Sequence, residues 1–388
     1  MDDPVSQAVR DLVPAFRERA NGAEAARRIP DESIKELEAT GFFRMLQPRE
    51  FGGQESDLRT FYTAVREIAA ACGSTGWVAS VMGIHPWQVG LFAREAQQEV
   101  WGAGKAPLIS SSYAPTGQVT PVGGGYRISG RWSFSSGCDH AAWVLLGGVI
   151  PGKDGAPVDM ATFLLPRADY RIDDVWDTVG LRGTGSNDIV VDDAFVPTHR
   201  ALSFADTSAL RCPGHAVNPG PLYRLPFAAA FSTTISSPIV GMAQGALDSY
   251  LTATRDRIRI SYGGQKVAED PHAHVRIATA ASEIDAAWAL LMRNIGDLSD
   301  CAARGADIPT DLRLRTRRDQ VMATQRSVRA VDLLFENAGG RALGAGNTVQ
   351  RGWRDVHAGR VHAVNDPERA LGLYGQGALG LDVTDVMI

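Results

Sequence analysis

Apolar residues recur three or four positions apart in the first part of the chain, which is the period of helices packed on one side. One such stripe predicts a helix from about residue 58, and the cysteine on it is expected to be a packing residue. An earlier helix is expected to be capped by Asp31 and to stop at Gly41. The stripe consists of Leu58, Phe61, Val65, Ile68 and Cys72.

This helical pattern is interrupted once. An apolar helix is predicted from 77 to about 82, and the segment 83–86 is expected to break it, because glycine and proline disfavour helix interiors. A further helix is predicted over 87–101. His85 falls within the expected interruption.

Between about 107 and 213, alternation of apolar and polar residues replaces the helical period, and glycine and proline become frequent. Alternation predicts strands with one buried face. We therefore expect a small antiparallel β domain between two helical parts. The predicted strands are PLISSSY, GYRISGRWSFS, AAWVLLGGVI, MATFLLP, YRIDDVW and NDIVVDDAFVP.

Helical periodicity returns from about residue 235. An apolar seam runs from Ile277 to Ile295 with alternating spacings of four and three, which is typical of a helix in a bundle. Gly241 and Gly245 leave a smooth surface that another helix can approach. The predicted fold is mainly α with an inserted antiparallel β domain, divided into a helical domain 1–107, a β domain 108–213 and a helical bundle 214–388.

Composition excludes several classes of protein. The chain has 39 basic and 44 acidic side chains, and a net charge of −5 without a basic stripe disfavours nucleic-acid binding. No run of about 18 apolar residues and no signal-peptide core is present, so we expect a cytoplasmic protein that does not enter a membrane. The cysteines are far apart and form no CxxC pair, which argues against a zinc site or disulfide framework.

Familiar cofactor and nucleophile motifs are missing. The chain has no GxGxxG after a strand, no GxxxxGK[ST], no HExxH and no GxSxG. A nicotinamide dinucleotide is therefore not expected to bind through a Rossmann unit. If the protein carries out redox chemistry, its electrons must come from another source.

Two polar stretches could hold a ligand. WSFSSGCDH (132–140) ends a strand in hydroxyl residues and a glycine, which present hydroxyl and backbone N–H groups without bulk and suit a flat, polar-edged ligand. LRGTGSN (181–187) can form a donor-rich nest for an anion or a polar ring edge. A plain turn is the alternative for the first stretch, and a glycine-rich hairpin turn for the second.

Two histidines are candidates for chemistry. His85 lies beside a proline and a tryptophan, where a helix-end histidine bonded to the backbone is the alternative. His357 and His362 are five positions apart, so a regular helix would not place both on one face. At most one is expected to point into a given pocket, and a structural or exposed histidine is the alternative.

Taken together, these segments resemble the acyl-CoA dehydrogenase fold, with an N-terminal helical domain, a middle β-barrel-like domain and a C-terminal four-helix bundle. A closer resemblance is to the oxygenase components of two-component, reduced-flavin-dependent aromatic monooxygenases. These include the 4-hydroxyphenylacetate 3-hydroxylase and, with stronger similarity, the 3-hydroxy-9,10-secoandrostatriene-dione 4-hydroxylase oxygenases. The segments that carry it are GIHPW, ISSSYAPTG, WSFSSGCDHAAW, VWDTVGLRGTGSN, TTISSPIVGMA and HAGRVHAVNDPERA.

This resemblance implies an oxidoreductase that hydroxylates a phenol, expected to be multi-ring, through a C4a-hydroperoxyflavin. It implies reduced FMN (FMNH2), with FADH2 as the alternative, and O2 as co-substrate. A separate NAD(P)H-dependent flavin reductase would supply the reduced flavin. A homotetramer is implied, and no metal is expected.

The resemblance also implies roles for particular residues. His362 would be the general base for the phenol, His85 would hold the substrate or the hydroperoxide, and Ser135 and Ser136 would donate to the flavin N5 edge. Trp132 would form an apolar wall of the flavin pocket, with Trp87 and Phe134. The other implied flavin contacts are Ser110, Ser111, Ser112, Arg182 and Thr184, and, on the phosphate side, Arg257, Arg259 and a neighbouring subunit's Gly339 and Gly340.

Two alternative functions stay open. An acyl-CoA dehydrogenase-like FAD enzyme needs a carboxylate base beside its substrate, but the final segment reads RVHAVNDPE, with His362 near the expected place and Glu368 following later. A non-catalytic flavin-fold binding partner is the other alternative. The density of polar groups in 110–140 and 181–187 argues against it.

Overall fold

The computed structural model describes residues 3–102, 104, 106–152, 154–259, 263–385 and 387–388, with Arg259 described for its backbone only. Within these residues, helices come first, a seven-stranded sheet follows, and long helices return. The larger hydrophobic core joins the N-terminal and C-terminal helices and takes in one face of the sheet. A smaller core lies within the β domain. The predicted mainly α fold with an inserted β domain is therefore confirmed.

The N-terminal helices follow the predicted pattern closely. The helix over 31–40 ends at Gly41, whose φ of +82° lies in the left-handed region that glycine tolerates. Asp31 is the first residue of this helix and not its cap, because Pro30 occupies the cap position. The helices are α1 (Pro4–Ala26), α2 (Asp31–Thr40), α3 (Leu58–Ala71), α4 (Gly73–Val89) and α5 (Arg94–Trp101).

Helix α4 runs without a break through 83–86, so the predicted interruption is wrong. Every residue of α4 is buried, and tertiary packing outweighs the local cost of its glycine and proline. A Cβ at Gly83 would lie 2.6 Å from the ring of Phe61, so this glycine allows α3 and α4 to approach. His85 is consequently held inside a packed helix.

The sheet has the strand order β5-β6-β2-β1-β3-β4-β7, and its pairs are antiparallel except for β1 with β3. This parallel pair departs from the expected antiparallel domain because the chain crosses from β2 to the far side of β1. The crossing places β1 at the centre of the sheet. The strands are β1 (Ile109–Val122), β2 (Gly125–Ser135), β3 (Trp143–Pro151), β4 (Pro157–Pro166), β5 (Arg171–Asp173), β6 (Asn187–Pro197) and β7 (Ala201–Ser203).

The glycine surface predicted at 241 and 245 is a contact between domains. A Cβ at Gly241 would lie 2.5 Å from the Arg66 carbonyl oxygen, and one at Gly245 would lie 2.2 Å from the Ala70 carbonyl oxygen, both in α3. The remaining elements are α6 (Phe204–Ser208), α7 (Phe227–Thr254), β8 (Ile258–Arg259), β9 (Gln265–Lys266), α8 (Pro271–Ala303), α9 (Thr310–Ala338), α10 (Thr348–Arg360) and α11 (Pro367–Ala378). No helix of the described residues is long and apolar enough to cross a membrane.

A proline inside α7 ties this helix to α4. Pro238 has no N–H, so the carbonyl oxygen of Thr234 lacks its usual helical donor. The hydroxyl of Ser80 in α4 donates to that carbonyl at 2.7 Å. The bond fixes α4, and with it His85, against the centre of the bundle.

Candidate active site

His85 is held in one tautomer by its surroundings. Its Nδ1 lies 2.6 Å from the Ile109 carbonyl oxygen, which can only accept, so Nδ1 carries the proton. Its Nε2 is then an acceptor and takes the hydroxyl proton of Ser111 at 2.9 Å. Burial lowers the pKa of His85 to about 4, so the ring is neutral at physiological pH.

The serines at the start of β1 do not act together. Neighbouring side chains of a strand point to opposite faces, so Ser111 faces His85 while Ser110 and Ser112 face the other way. The Ser112 hydroxyl donates to the Ser133 carbonyl oxygen at 2.7 Å. The Ser110 hydroxyl is buried without a hydrogen-bond partner. Ser111 alone joins the histidine.

His362 has the opposite hydrogen-bonding sense. It caps the short helical turn Ala363–Asn365, and its Nδ1 accepts from the Val364 N–H at 3.3 Å. A neutral ring that accepts at Nδ1 carries its proton on Nε2. Burial lowers the pKa of His362 to about 4, so the ring is neutral and offers a donor at Nε2.

Aromatic rings connect the two histidines. The Tyr113 ring lies 6.5 Å from the His85 ring and 4.9 Å from Phe231. Phe231 in turn lies 6.4 Å from His362, and Phe227 stacks on it at 5.4 Å. Burial raises the pKa of Tyr113, so its hydroxyl stays protonated. This wall is apolar and rigid, with an acceptor pair at one end and a donor at the other.

A chain of hydroxyl groups begins beside His362. The Trp77 ring lies 5.9 Å from the His362 ring, and its indole N–H donates to the Ser136 hydroxyl at 3.1 Å. Ser136 and Ser186 are 2.7 Å apart, as are Ser186 and Thr184. WSFSSG and LRGTGSN are therefore two sides of one buried polar cluster.

The loop that carries LRGTGSN is anchored from the C-terminal bundle. Asp355 of α10 accepts from the Leu181 N–H at 2.7 Å. Leu181 has a φ of +52°, and its carbonyl oxygen accepts from the Trp176 indole at 2.9 Å. Burial raises the pKa of Asp355 to about 6. The plain hairpin turn considered for this motif is thus a structured loop held by another domain.

Comparison with known proteins identifies the family. Residues 3–106 match the acyl-CoA dehydrogenase N-terminal domain, and residues 233–367 match the acyl-CoA dehydrogenase C-terminal domain. The chain is 54% identical to the oxygenase subunit HsaA of a flavin-dependent monooxygenase from Rhodococcus jostii (strain RHA1), over 98% of this chain and 100% of that protein. The chain belongs to the flavin-dependent monooxygenase oxygenase subunits.

Solved structures agree with this family. The crystal structure of 3-HSA hydroxylase from Rhodococcus sp. RHA1 has a TM-score of 0.96 and 53% identity, covering 100% of this chain and 99% of that one. XiaF from Streptomyces sp., in complex with FADH2 and glycerol, has a TM-score of 0.89 and 28% identity, covering 97% of this chain and 95% of that one. These matches confirm the predicted fold and the prediction of a flavin-dependent oxygenase.

The residues around the hydroxyl cluster fit the flavin that the family uses. The Phe134 ring is 69% exposed, at a φ of +69°, and meets the Trp176 ring edge-on at 6.0 Å. An exposed phenylalanine that packs on a half-buried tryptophan beside a buried hydroxyl cluster suits a flat ring with polar edges. The hydroxyl of Ser135 is buried without a partner, as buried polar groups seldom are. Ser136 lies next to both features.

Two expected tryptophan walls are corrected by the structure. Trp132 is fully buried in the core of the β domain, and its indole donates to the Gly147 carbonyl oxygen at 2.8 Å. The alternation of β2 turns this side chain away from any ligand. Trp87 is also fully buried and donates to the Leu222 carbonyl oxygen at 2.9 Å. Phe134 is the wall residue that remains accessible.

The residues predicted to contact the flavin phosphate come from two separate segments of the sequence. The structure brings those two segments together. The guanidinium of Arg257 donates to the Asn337 carbonyl oxygen at 3.2 Å. A Cβ at Gly339 would lie 2.7 Å from that guanidinium, so Arg257 and the turn at Gly339 and Gly340 adjoin within one subunit. The side chain of Arg259 lies outside the described residues.

Arg182 and Thr184 are engaged within their own loop. Arg182 donates to the Asp177 carboxylate at 2.9 Å and to the Thr178 carbonyl oxygen at 2.6 Å. The Thr184 hydroxyl donates to the Leu181 carbonyl oxygen at 2.9 Å. The contacts of both residues therefore shape the loop itself.

Sequence reasoning missed several residues of this site. The helical pattern gives no sign that the Trp77 indole serves the site, the motif LRGTGSN does not single out Ser186, and Asp355 lies in a separate helix. An aspartate between arginines and a histidine in RDVHAGR was the available signal for Asp355. The described residues contain no cluster of three metal-ligating side chains. Cys72 is buried, as its predicted packing role requires, and Cys138 is buried in the core of the β domain.

Proposed function

We propose that this chain hydroxylates a multi-ring phenol beside its hydroxyl group, with O2 and reduced FMN as co-substrates and FADH2 as the alternative flavin. The observation that carries this proposal is the pair of neutral histidines of opposite hydrogen-bonding sense, His85 and His362, connected by an aromatic wall. When bound, a reduced flavin would supply the two electrons that reduce one oxygen atom of O2 to water, while the other oxygen atom enters the ring of the phenol.

At one end, His85 and Ser111 form the acceptor for the phenol. The Ser111 proton is directed to Nε2 of His85, so the Ser111 oxygen keeps lone pairs for a phenolic O–H. A hydrogen bond accepted from the phenol raises electron density on its ring, which helps the ring attack an electrophilic oxygen. The fixed tautomer of His85 keeps this pair an acceptor.

At the other end, His362 donates. The Val364 N–H occupies its Nδ1, so Nε2–H is left as a donor for a developing negative charge on oxygen, in a ring that lies 6.4 Å from the Phe231 ring. The base role expected from the resemblance is less favourable. Desolvation lowers the pKa of His362, which makes the ring a weaker base for a phenol than a free imidazole.

The proposal also includes a separate flavin reductase as partner and a homotetramer as the assembly. A separate NAD(P)H-dependent reductase supplies the reduced flavin, because the chain carries no Rossmann motif after a strand. A homotetramer brings the surface of Arg257, Gly339 and Gly340 of one subunit to a flavin held by another. The names of relatives described as an oxygenase subunit or an oxygenase component support the separate reductase.

The dehydrogenase alternative lacks its base at the place the fold would provide one. Glu368 is exposed on the first turn of α11, and the Asp366 side chain caps that helix through the Glu368 and Arg369 N–H groups. Neither carboxylate joins the aromatic wall. No observation therefore favours an acyl-CoA substrate over a phenol.

The test combines the purified chain with a flavin reductase, NADH, O2 and phenols of one to three rings. We expect a catechol as the product. The yield of catechol per NADH consumed should be higher for multi-ring phenols than for single-ring phenols. Formation of H2O2 alone across the whole panel would refute the phenol-hydroxylase proposal. Reduction of a dye by an acyl thioester would instead support the dehydrogenase.

Variants assign the two histidines. We expect His85→Ala and His362→Ala to lower product per NADH by about 10²-fold while reduced-flavin binding persists, which is the size of one acid–base or donor contribution. His274→Ala, at an exposed position in the first turn of α8, is the matched control and should equal wild type. If His362 is a donor, His362→Gln should retain more product than His362→Ala, because glutamine keeps an N–H; equal losses would remove the donor role.

A further inference from the structure

The hydroxyl cluster forms a hydrogen-bond chain that can run in one direction only. At its far end, the Thr184 hydroxyl is 2.9 Å from the Leu181 carbonyl oxygen, which has no proton, so Thr184 must donate there. Its proton being used, Thr184 must accept from Ser186 at 2.7 Å. Ser186 must in turn accept from Ser136 at 2.7 Å.

The near end of the chain is equally fixed. The indole N–H of Trp77 has no lone pair to offer, so it can only donate to Ser136, at 3.1 Å. Ser136 therefore spends its proton on Ser186 and one lone pair on Trp77. Its second lone pair has no partner within the described part of the chain. Toward a ligand, the Ser136 oxygen can accept and cannot donate, which corrects the expectation that it donates to the flavin.

The acceptor at the far end is immobilised from another domain. The Leu181 N–H donates to Asp355 at 2.7 Å, and the Trp176 indole donates to the Leu181 carbonyl oxygen at 2.9 Å. Ser136, Ser186 and Thr184 are all buried, so water does not substitute freely for a link. The direction of the chain is therefore a built property of the fold.

We propose that Ser186 and Thr184 are positioning residues that make Ser136 an obligate acceptor, so that the site selects reduced over oxidised flavin. The inference depends on the proposed function. A reduced flavin carries a proton on N5 and, with its N5 edge at Ser136 as the family resemblance implies, would donate to the Ser136 oxygen. An oxidised flavin has a lone pair on N5 and would face the Ser136 lone pair without a hydrogen bond between them.

The first test is Ser186→Ala, which frees the Ser136 proton. Oxidised and reduced FMN are titrated anaerobically into wild type and variant. We expect the wild type to prefer reduced FMN, and the variant to lose about tenfold of that preference, the typical effect of one buried hydrogen bond. The midpoint potential of bound FMN should fall by about 30 mV, the two-electron equivalent of tenfold.

Thr184→Val is a second variant that leaves Ser186 in place. Without the threonine hydroxyl, the Ser186 proton can turn to Ser136, so the Ser136 proton is again released and the same loss of preference is expected. Thr184→Ser keeps the hydroxyl and should restore the wild-type ratio. Thr316→Val removes a buried hydroxyl bonded to the Leu312 carbonyl oxygen in α9 and serves as the control for folding.

The outcomes separate this inference from the proposed function. Wild-type preference for reduced FMN with unchanged ratios in both variants would overturn the role of the chain alone. Failure of the wild type to bind either state of FMN or FAD would overturn the proposed function as well. A loss of preference in Thr184→Val that Thr184→Ser does not show supports the inference even if Ser186→Ala fails to fold.

Discussion

At the scale of residues, the chemistry of the site depends on which atoms of its polar side chains carry protons. His85 and His362 are both neutral, yet one offers an acceptor pair and the other a donor, because a backbone carbonyl faces the first and a backbone N–H faces the second. Residue type alone would assign both the same chemistry. The surrounding backbone separates their roles.

Burial of neutral histidine predicts how stability depends on pH. A histidine in the unfolded chain takes up a proton below about 6.5, whereas His85 stays neutral until about pH 4, so stability falls as pH drops between these values. For His85 the full effect is roughly 3 kcal/mol. Asp355, whose pKa is raised to about 6, acts in the opposite sense.

The test therefore compares the pH dependence of the unfolding free energy in the wild type with that in a variant without His85. Urea unfolding of wild type and His85→Gln at pH 7.5, 6 and 5 should show a smaller loss of stability on acidification for the variant. Parallel pH dependences in the two proteins would contradict a neutral, buried His85. His274→Gln, on the exposed surface of α8, should match the wild type.

At the scale of elements, contacts between domains position the site. Helix α4 presents His85 to β1, and α10 presents Asp355 to the loop before β6. The helices were predictable from apolar periodicity, and so were the strands from alternation. Which element faces which depended on close approaches such as those at Gly83 and Gly241.

Removal of the Asp355 anchor should destabilise the protein. Asp355→Ala leaves the Leu181 N–H buried without an acceptor, which costs about 1–3 kcal/mol. Asp355→Asn keeps an acceptor oxygen of the same shape and is the matched control, expected within about 1 kcal/mol of wild type. The midpoints of urea unfolding decide this, and equal losses in the two variants would count against the anchor.

The contact between α3 and α7 gives a second prediction at this scale. Gly241→Ala should destabilise the protein by about 1–3 kcal/mol, because its Cβ would lie 2.5 Å from the Arg66 carbonyl oxygen. Gly22→Ala in α1 has no atom within 4 Å of its Cβ and should be stabilising by about 0.5–1 kcal/mol. Thermal unfolding of both variants measures the contrast, and a neutral Gly241→Ala would contradict the close approach.

At the scale of the whole molecule, one helical body carries an inserted sheet, and the site forms where the two meet. Large apolar side chains stay exposed on this body, among them Leu343 at 74% and Val361 at 75%. A single exposed apolar residue is ordinary on a protein surface, so its position beside a proposed contact is what makes it informative. Leu343 follows the turn at Gly339 and Gly340, which the family resemblance assigns to a subunit contact.

We therefore predict a homotetramer in solution that a charge at Leu343 weakens. Light scattering after size exclusion should give a tetramer for wild type and smaller species for Leu343→Lys. Val158→Lys, at an exposed position of 66% on β4, is the control and should remain tetrameric. A monomeric wild type would contradict the assembly.

Several features were determined by the sequence alone. Apolar periodicity and alternation indicated the helices, the inserted sheet and their order, because both patterns are local consequences of helix and strand geometry. The motifs around His85, Ser136 and His362 indicated the family. The missing dinucleotide motif indicated that electrons must come from elsewhere.

Only the tertiary structure decided what those residues do. Trp77 and Ser136 are 59 positions apart and Leu181 and Asp355 are 174 apart, so no local pattern could have joined them. The tautomer of His85 and the direction of the hydroxyl chain depend on which carbonyl or N–H lies opposite each group. Hydrogen bonding is a property of pairs brought together by folding, whereas periodicity is a property of the chain itself.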